Sequence, residues 1–159
     1  MIDKTLFRNA VGHFPTGVCL VGIEPDDAAP FAMTINSFSS LSLEPPLILW
    51  SIQKNSDCYQ AVMAAKKFSI NILSRDQQAL ARQYATKGEH GLTREHYSLV
   101  DEQAPSIVGA SVILQCELYE QYAGGDHDII VGLVTDILSD DGAGDPLMFY
   151  KGGFCGLAA

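Results

Sequence analysis

Residues 111–138 read SVILQCELYEQYAGGDHDIIVGLVTDIL. Val112, Leu114, Cys116 and Leu118 alternate with Ile113, Gln115, Glu117 and Tyr119. A period of two puts each set on one face of an extended chain. Gly124-Gly125-Asp126 turns the chain, and Ile129 to Leu138 returns as a second long strand. Two such runs about a Gly-rich turn predict an antiparallel hairpin.

The flanking segments extend the same pattern. From Lys67 to Leu73, Phe68, Ile70 and Ile72 alternate with Ser69 and Asn71, and Leu47 to Ile52 is a continuous apolar strand. Phe31 to Phe38 has one apolar face (Phe31, Met33, Ile35) and one small, polar face (Ala32, Thr34, Asn36). Ser39 to Leu43 continues extended until Pro45-Pro46 breaks it. Gly17 to Ile23 and Leu147 to Tyr150 are further strands, the latter after a Gly/Asp-rich turn over Ser139 to Pro146. Three helices fit between them. Residues 3–14 carry Leu6, Phe7, Ala10, Val11 and Phe14 at helical spacing behind Asp3 as N-cap. Ser56 is placed to cap a helix of about ten residues. Ser74-Arg75-Asp76-Gln77 is a capping box opening a helix to about Ala85. Residues 86–106 read as a long loop. The expected class is mainly β with flanking helices. Antiparallel hairpins dominate, and closure into a barrel manages strand edges better than an open sheet. No repeat or composition shift divides the chain, so one domain over 1–159 is expected.

Composition narrows the function. Hydrophobic residues make up 47% and charged ones 18%, which excludes a disordered tail. No apolar run reaches a membrane span, and Met1-Ile2-Asp3-Lys4 lacks the order of a leader, so a cytoplasmic location is expected. Ten Lys+Arg against nineteen Asp+Glu leave a net charge of −9. That field repels nucleic acid and anionic membranes, so neither is expected as a partner, and any bound anion needs local donors. Cysteines stand at 19, 58, 116 and 155 without a C-x-x-C pair, which excludes zinc-ribbon and thioredoxin-type sites. Cys19 and Cys116, inside apolar strands, read as buried small hydrophobes in a reducing compartment.

Among catalytic motifs, G-x-G-x-x-G after a strand, G-x-x-x-x-G-K and G-x-S-x-G are all absent. His90 and His96 lie six apart beside Glu89 and Glu95, but such loop residues are ordinarily solvated, and no metal is expected. The informative stretch is 33–58. Ser51-Ile52-Gln53-Lys54-Asn55-Ser56 follows a buried strand and opens a helix, where free N–H groups with Ser51, Lys54 and Ser56 could hold a phosphate. The same residues also read as a plain helix cap and a lysine facing water. Asp126-His127-Asp128 could bind a metal, act as a general acid, or sit charged in a hairpin turn.

Several segments in order resemble the flavin reductase-like family. They are Phe7-Arg8 to Phe14-Pro15-Thr16-Gly17-Val18, Met33-Thr34-Ile35-Asn36-Ser37-Phe38, Ser42-Leu43-Glu44-Pro45-Pro46-Leu47, Ser51 to Ser56, and Gly125-Asp126-His127. Pro146-Leu147 and Phe149-Tyr150-Lys151-Gly152 close the pattern, which runs from about Phe7 to Leu157. The resemblance implies a Greek-key-like split β-barrel of the FMN-binding type. It implies that Thr34, Ile35, Asn36 and Ser37 line the isoalloxazine ring, largely through backbone groups. Ser51, Ile52, Gln53, Lys54, Asn55 and Ser56 would hold the ribityl chain and phosphate. His127 would stand near the nicotinamide-side face as the catalytic residue, with Tyr150 as an aromatic beside the flavin. The implied cofactor is FMN, with FAD possible, and NADH or NADPH is the co-substrate. The implied partners are a second copy of the chain, as a homodimer, and a flavin-dependent monooxygenase supplied with reduced flavin. Cys58 stands where the family often has threonine.

Hydride transfer from nicotinamide C4 to flavin N5 requires stacking at near-contact distance and no strong acid–base pair, which suits a chain without triad or metal motif. Only Arg8, Arg75, Arg82 and Arg94 could meet a 2′-phosphate, which favours NADH. The alternatives are an electron carrier with permanently bound FMN, and a non-catalytic barrel that binds a planar ligand.

Overall fold

The computed structural model describes residues 2–140, 142 and 144–157; Met1, Asp141, Ala143, Ala158 and Ala159 lie outside the described residues. The turn expected over 139–146 therefore falls partly outside them. In chain order the elements are α1 (Lys4–Val11), β1 (Thr16–Gly17), β2 (Cys19–Ile23), β3 (Phe31–Ile35), β4 (Ser39–Leu43), β5 (Pro46–Gln53), α2 (Tyr59–Ala64), β6 (Lys67–Ile72), α3 (Gln78–Tyr84), β7 (Tyr97–Ser98), β8 (Ser106–Ile107), β9 (Val112–Gly124), β10 (His127–Ser139), β11 (Met148–Tyr150) and β12 (Gly153–Cys155). Among the described residues no helix is long and apolar enough to cross a membrane.

Seven strands form one antiparallel sheet in the order β3-β2-β6-β9-β10-β5-β4. The β9–β10 hairpin is its spine, as the alternation predicts. Gly125, at φ +75°, opens the two-residue turn between Gly124 and His127. A positive φ at the first turn position alone suits the II′ arrangement, whose twist matches the strands. A smaller sheet, β1-β11-β12, lies beside it, and β11 and β12 turn through Lys151 and Gly152, both at positive φ.

The expected barrel closure is corrected by this topology. β3 and β4 are consecutive in the chain, yet they are the two opposite edges of the large sheet and are not paired with each other. The outer edge of β3 is already engaged over Pro30–Ala32. Ala32 N donates to His90 O at 2.9 Å, Leu92 N donates to Pro30 O at 3.0 Å, and Phe31 bridges to Gly91. Residues 36–38 carry the chain across to β4, which pairs only with β5. The architecture is mainly β with flanking helices, on open sheets.

The large sheet is apolar on both faces. Cys19, Val21, Ile48, Trp50, Ile52, Phe68, Ile70, Cys116 and Ile130 pack with Cys58 and Val62 at α2. Trp50, fully buried, meets Phe68 edge-on at 5.8 Å. Val18, Leu20, Ala32, Leu73 and Ile107 pack with Ala81 and Tyr84 of α3 and with Leu147. Burial pushes the thiols of Cys19 and Cys116 up to about 12.

Two of the three helical expectations shift. Asp3 caps α1 through Leu6 N at 2.9 Å, but the helix stops at Val11, and Leu6, Phe7 and Val11 are more than half exposed. α2 begins at Tyr59 with Cys58 at its N-cap and spans six residues, because the Ser56 hydroxyl accepts from Cys58 N and makes a local turn instead of a helix cap. The capping box of Ser74 and Gln77 forms as predicted and leads through a 3₁₀ turn into α3. The 86–106 stretch is not a free loop. It contains β7, part of β8 and a 3₁₀ turn at Arg94–His96, and buried side chains of the sheet hold it: Ser69 Oγ to Pro105 O, Asn71 Oδ1 to Ile107 N and Gln115 to both N and O of Ala104.

Candidate functional site

The C-terminal end of β5 lies beside the N-terminal end of β10, with Gln53 opposite His127 and Ile52 opposite Asp128. The turn after β5 is sewn to the hairpin turn. Lys54 N donates to Asp126 O at 2.9 Å, and Lys54 Nζ donates to Gly125 O at 2.9 Å. Lys54 Nζ also stands 3.5 Å from Asp128 Oδ1, while the Tyr59 hydroxyl donates to Asp128 Oδ2. Asp128 is 6% exposed, so a buried carboxylate with two partners fixes the ammonium at the strand end. The hydrogen bond to Asp128 holds the Tyr59 hydroxyl above its ordinary pKa.

Ser37 joins the β3–β4 crossover to this end. Its hydroxyl accepts from Ser51 N at 3.0 Å and donates to Ser51 O at 3.3 Å. The structure thus brings Ser37, Ser51, Gln53, Lys54, Asn55, Ser56 and His127 to one end of the sheet. Gln53, Lys54 and Asn55 are exposed there, as is Asn36. Ile35 and Ile52 face the core, so only their backbones are available. The Thr34 hydroxyl is spent on Ala81 O of α3 at 2.7 Å. Its main chain is not. Ala32 N points outward from β3, and in an antiparallel pair alternate residues point the same way, so Thr34 N–H and C=O face the free edge. Tyr150 stands apart. It meets His13 edge-on at 6.4 Å and the Lys151 ammonium at 5.3 Å, and among the described residues no hydrogen bond or ring contact ties it to the Ser51–Ser56 turn.

Strand alternation resolves the Asp126-His127-Asp128 cluster. Asp128 turns inward, and only Asp126 reaches the imidazole, its Oδ1 lying 2.7 Å from His127 Nδ1. The two carboxylates therefore do not converge on the histidine. The hydrogen bond and charge of His127 hold the Asp126 carboxyl below its ordinary range. His127 is 42% exposed and presents its other ring nitrogen away from Asp126.

Two groupings were not visible in the sequence. Tyr59–Asp128–Lys54 depends on register between elements. So does a second group, in which His90 Nε2 lies 3.2 Å from Asp57 Oδ1 and Gly88 N donates to Asp57 Oδ2 at 2.9 Å. Partial desolvation pulls Asp57 up, but the Gly88 N–H and the charges of His90 and Lys87 outweigh it and leave the carboxyl below its usual range. His96 does not join His90; it bonds the buried Tyr84 hydroxyl at 2.8 Å. A cavity of about 860 Å³, lined by Glu24, Asp26, Lys66, Lys67 and Glu102 among others, lies at the far end of α2. None of the expected site residues lines it. Its lining sets the carboxylates of Glu24, Asp26, Asp27 and Glu102 beside Lys66 and Lys67, which disfavours a phosphate, so the chemistry favours the Ser51–Ser56 end.

Residues 11–158 match the family model described as flavin reductase like domain. An FMN reductase (NADH) of Agrobacterium fabrum is 40% identical over 148 residues, covering 93% of this chain and 83% of that protein. The reductase component of a 4-nitrophenol 4-monooxygenase/4-nitrocatechol 2-monooxygenase of Rhodococcus opacus is 34% identical, covering 96% of this chain and 80% of that protein. Among solved structures, an NADH:FAD oxidoreductase of Streptomyces globisporus in complex with NAD and FAD fragments superposes with a TM-score of 0.91 at 33% identity, covering 98% and 93% of the two chains.

Proposed function

This chain belongs to the flavin reductase-like family, and we propose that it oxidises NADH or NADPH, passes the hydride to FMN or FAD, and supplies reduced flavin to a partner monooxygenase. The observation that carries the site assignment is the meeting, at one end of the sheet, of the Ser37–Ser51 link, a fixed lysine and an exposed Asp–His pair; the unengaged Thr34 part of the β3 edge leads into Ser37.

The residues fit a flavin by the chemistry of their donors. Thr34 offers an outward N–H and C=O side by side, the complement of the imide edge of a pyrimidine ring. Ser51 and Ser56 hydroxyls, the Asn55 amide and the Lys54 ammonium offer neutral donors and one cation, suited to a polyol ending in a phosphate monoester. In a chain of net charge −9 such a local cation is required. When bound, the flavin supplies the hydride acceptor; the protein supplies position and donors. An N–H aimed at the pyrimidine end stabilises the negative charge that reduction places there. Asp126 fixes the His127 ring through Nδ1, which leaves Nε2 to orient the nicotinamide.

The homodimer and the NADH preference belong to the same reading. α1 and β4 expose Leu6, Phe7, Leu41 and Leu43, the last at 94%, and the outer side of β4 pairs with no strand among the described residues, a surface a second copy would cover. Sedimentation at twice the chain mass supports the dimer, and a monomer rejects it. The arginines lie scattered, Arg82 over Phe154 and Arg94 over Tyr97, with no cluster for a 2′-phosphate.

The test is steady-state oxidation of NADH and NADPH by the purified protein with added FMN, FAD or riboflavin. Turnover that needs both nucleotide and flavin, faster with NADH, is expected. No turnover with any pairing removes the activity.

A further inference from the structure

Asp57, Cys58 and His90 form a group for which hydride transfer has no use. Asp57 and Cys58 lie at the start of α2, and His90 reaches them from the segment that runs along the β3 edge. One ligand atom from each of the three lies within 4.8 Å of the others. The Asp57 carboxylate is oriented from behind, because Gly88 N holds Oδ2 at 2.9 Å while Oδ1 faces His90 Nε2 at 3.2 Å. His90 is anchored through its carbonyl, which accepts from Ala32 N at 2.9 Å. Its Nδ1 is buried and has no partner among the described residues.

An ion pair explains Asp57 and His90, and apolar packing explains the burial of Cys58. Neither explains why a carboxylate, a thiol and an imidazole, presenting Nε2, converge on one point. We infer that Asp57, Cys58 and His90 form a binding site for a borderline-soft divalent cation such as Zn²⁺.

The ligand set is one such ions select. A thiolate and an imidazole beside one carboxylate disfavour Mg²⁺ and Ca²⁺, which take oxygen ligands. Bond lengths near 2.0–2.3 Å in a tetrahedron place ligand atoms roughly 3.3–3.6 Å apart. The carboxylate–imidazole spacing of 3.2 Å is already close to that, and Cys58 offers its ligand atom within 4.8 Å of both. On binding, the Cys58 thiol loses its proton to solvent and Sγ bonds the metal, with no oxidation. The dication is then balanced by one carboxylate and one thiolate around a neutral imidazole. Asp57 is 35% exposed at the side chain, which leaves an entry path and a fourth position for water. Bound there, the ion would tie the 86–92 segment to the turn that follows β5. The group adjoins the Ser56 end of the turn assigned to the phosphate, since Ser56 Oγ accepts from Cys58 N, but the inference does not rest on the flavin assignment.

The test is titration of the flavin-free protein with Zn²⁺ against a chromophoric chelator, together with the absorption spectrum of the Co²⁺-loaded protein. One equivalent per chain is expected, with a thiolate-to-cobalt charge-transfer band in the near ultraviolet. Cys58→Ser should abolish the band, and His90→Gln should weaken Zn²⁺ binding about tenfold or more. Cys155→Ser, which alters the one half-exposed cysteine, should keep both properties. Failure of the unsubstituted protein to take up an equivalent, or a band that survives Cys58→Ser, overturns the assignment. If Cys58→Ser does not fold, loss of the band in Cys155→Ser overturns the assignment, because the thiolate would then be that of Cys155.

Discussion

At Lys54 one ammonium is shared between the Gly125 carbonyl and the buried carboxylate of Asp128. It is therefore held in place before any ligand arrives, and a phosphate that meets it need not order a free side chain. Lys54→Met should raise the dissociation constant of FMN about tenfold, the loss of one charge-assisted contact, and leave riboflavin within about twofold. Flavin fluorescence titration reads both. An equal loss for the two flavins would move the phosphate elsewhere. His127 acts at the other end of the same ligand pair. His127→Ala should raise the KM for NADH several-fold and change FMN affinity little, and an unchanged KM and kcat would remove its proposed role.

At the scale of elements, the polar alternates of the strands are structural rather than solvated. Asn71 is fully buried on β6, donating to Leu20 O at 3.0 Å and to Ser69 Oγ at 2.8 Å and accepting from Ile107 N at 2.8 Å. Asn71→Leu leaves that amide and carbonyl without their partner and should cost about 3 kcal/mol in urea unfolding. A loss under about 1 kcal/mol would mean that water replaces the side chain. The same residues show why the sequence is legible in part. Period-two alternation in β6, β9 and β10 is a local property, so these strands and the hairpin can be read directly. The ordering of 86–106 depends on Ser69, Asn71 and Gln115 reaching it from distant strands, and no local signal in that segment reports it. Sheet closure is likewise a matter of which edge the 90–92 segment occupies. Within the site, Ser51 to Ser56 is contiguous and follows an apolar strand, so it stands out. Asp57–His90 and Tyr59–Asp128 exist only through register, and Tyr150 fits the resemblance by position while the fold sets it beside His13.

For the whole molecule, burial of two thiols couples stability to alkaline pH. Cys19 and Cys116 ionise near 9.0 when unfolded and are pushed up to about 12 in the fold. Below about 9 both states keep their protons and the contribution is complete; as pH rises toward 12 the unfolded chain releases protons that the native one retains, and stability falls. Urea midpoints should therefore decline from pH 8 to 11, and a Cys19→Ala, Cys116→Ala protein should decline less; parallel declines would assign the loss to other groups. On this reading a flavin lies along Thr34–Ser37 and across the end of the sheet formed by the turn at 53–56 and His127. A crystal structure of the protein soaked with FMN tests it most directly. The ring is expected against Thr34–Ser37 and the phosphate at Lys54–Ser56. Flavin bound instead in the cavity beside Glu24 and Lys67, or that end of the sheet closed by the protein's own side chains, would contradict it.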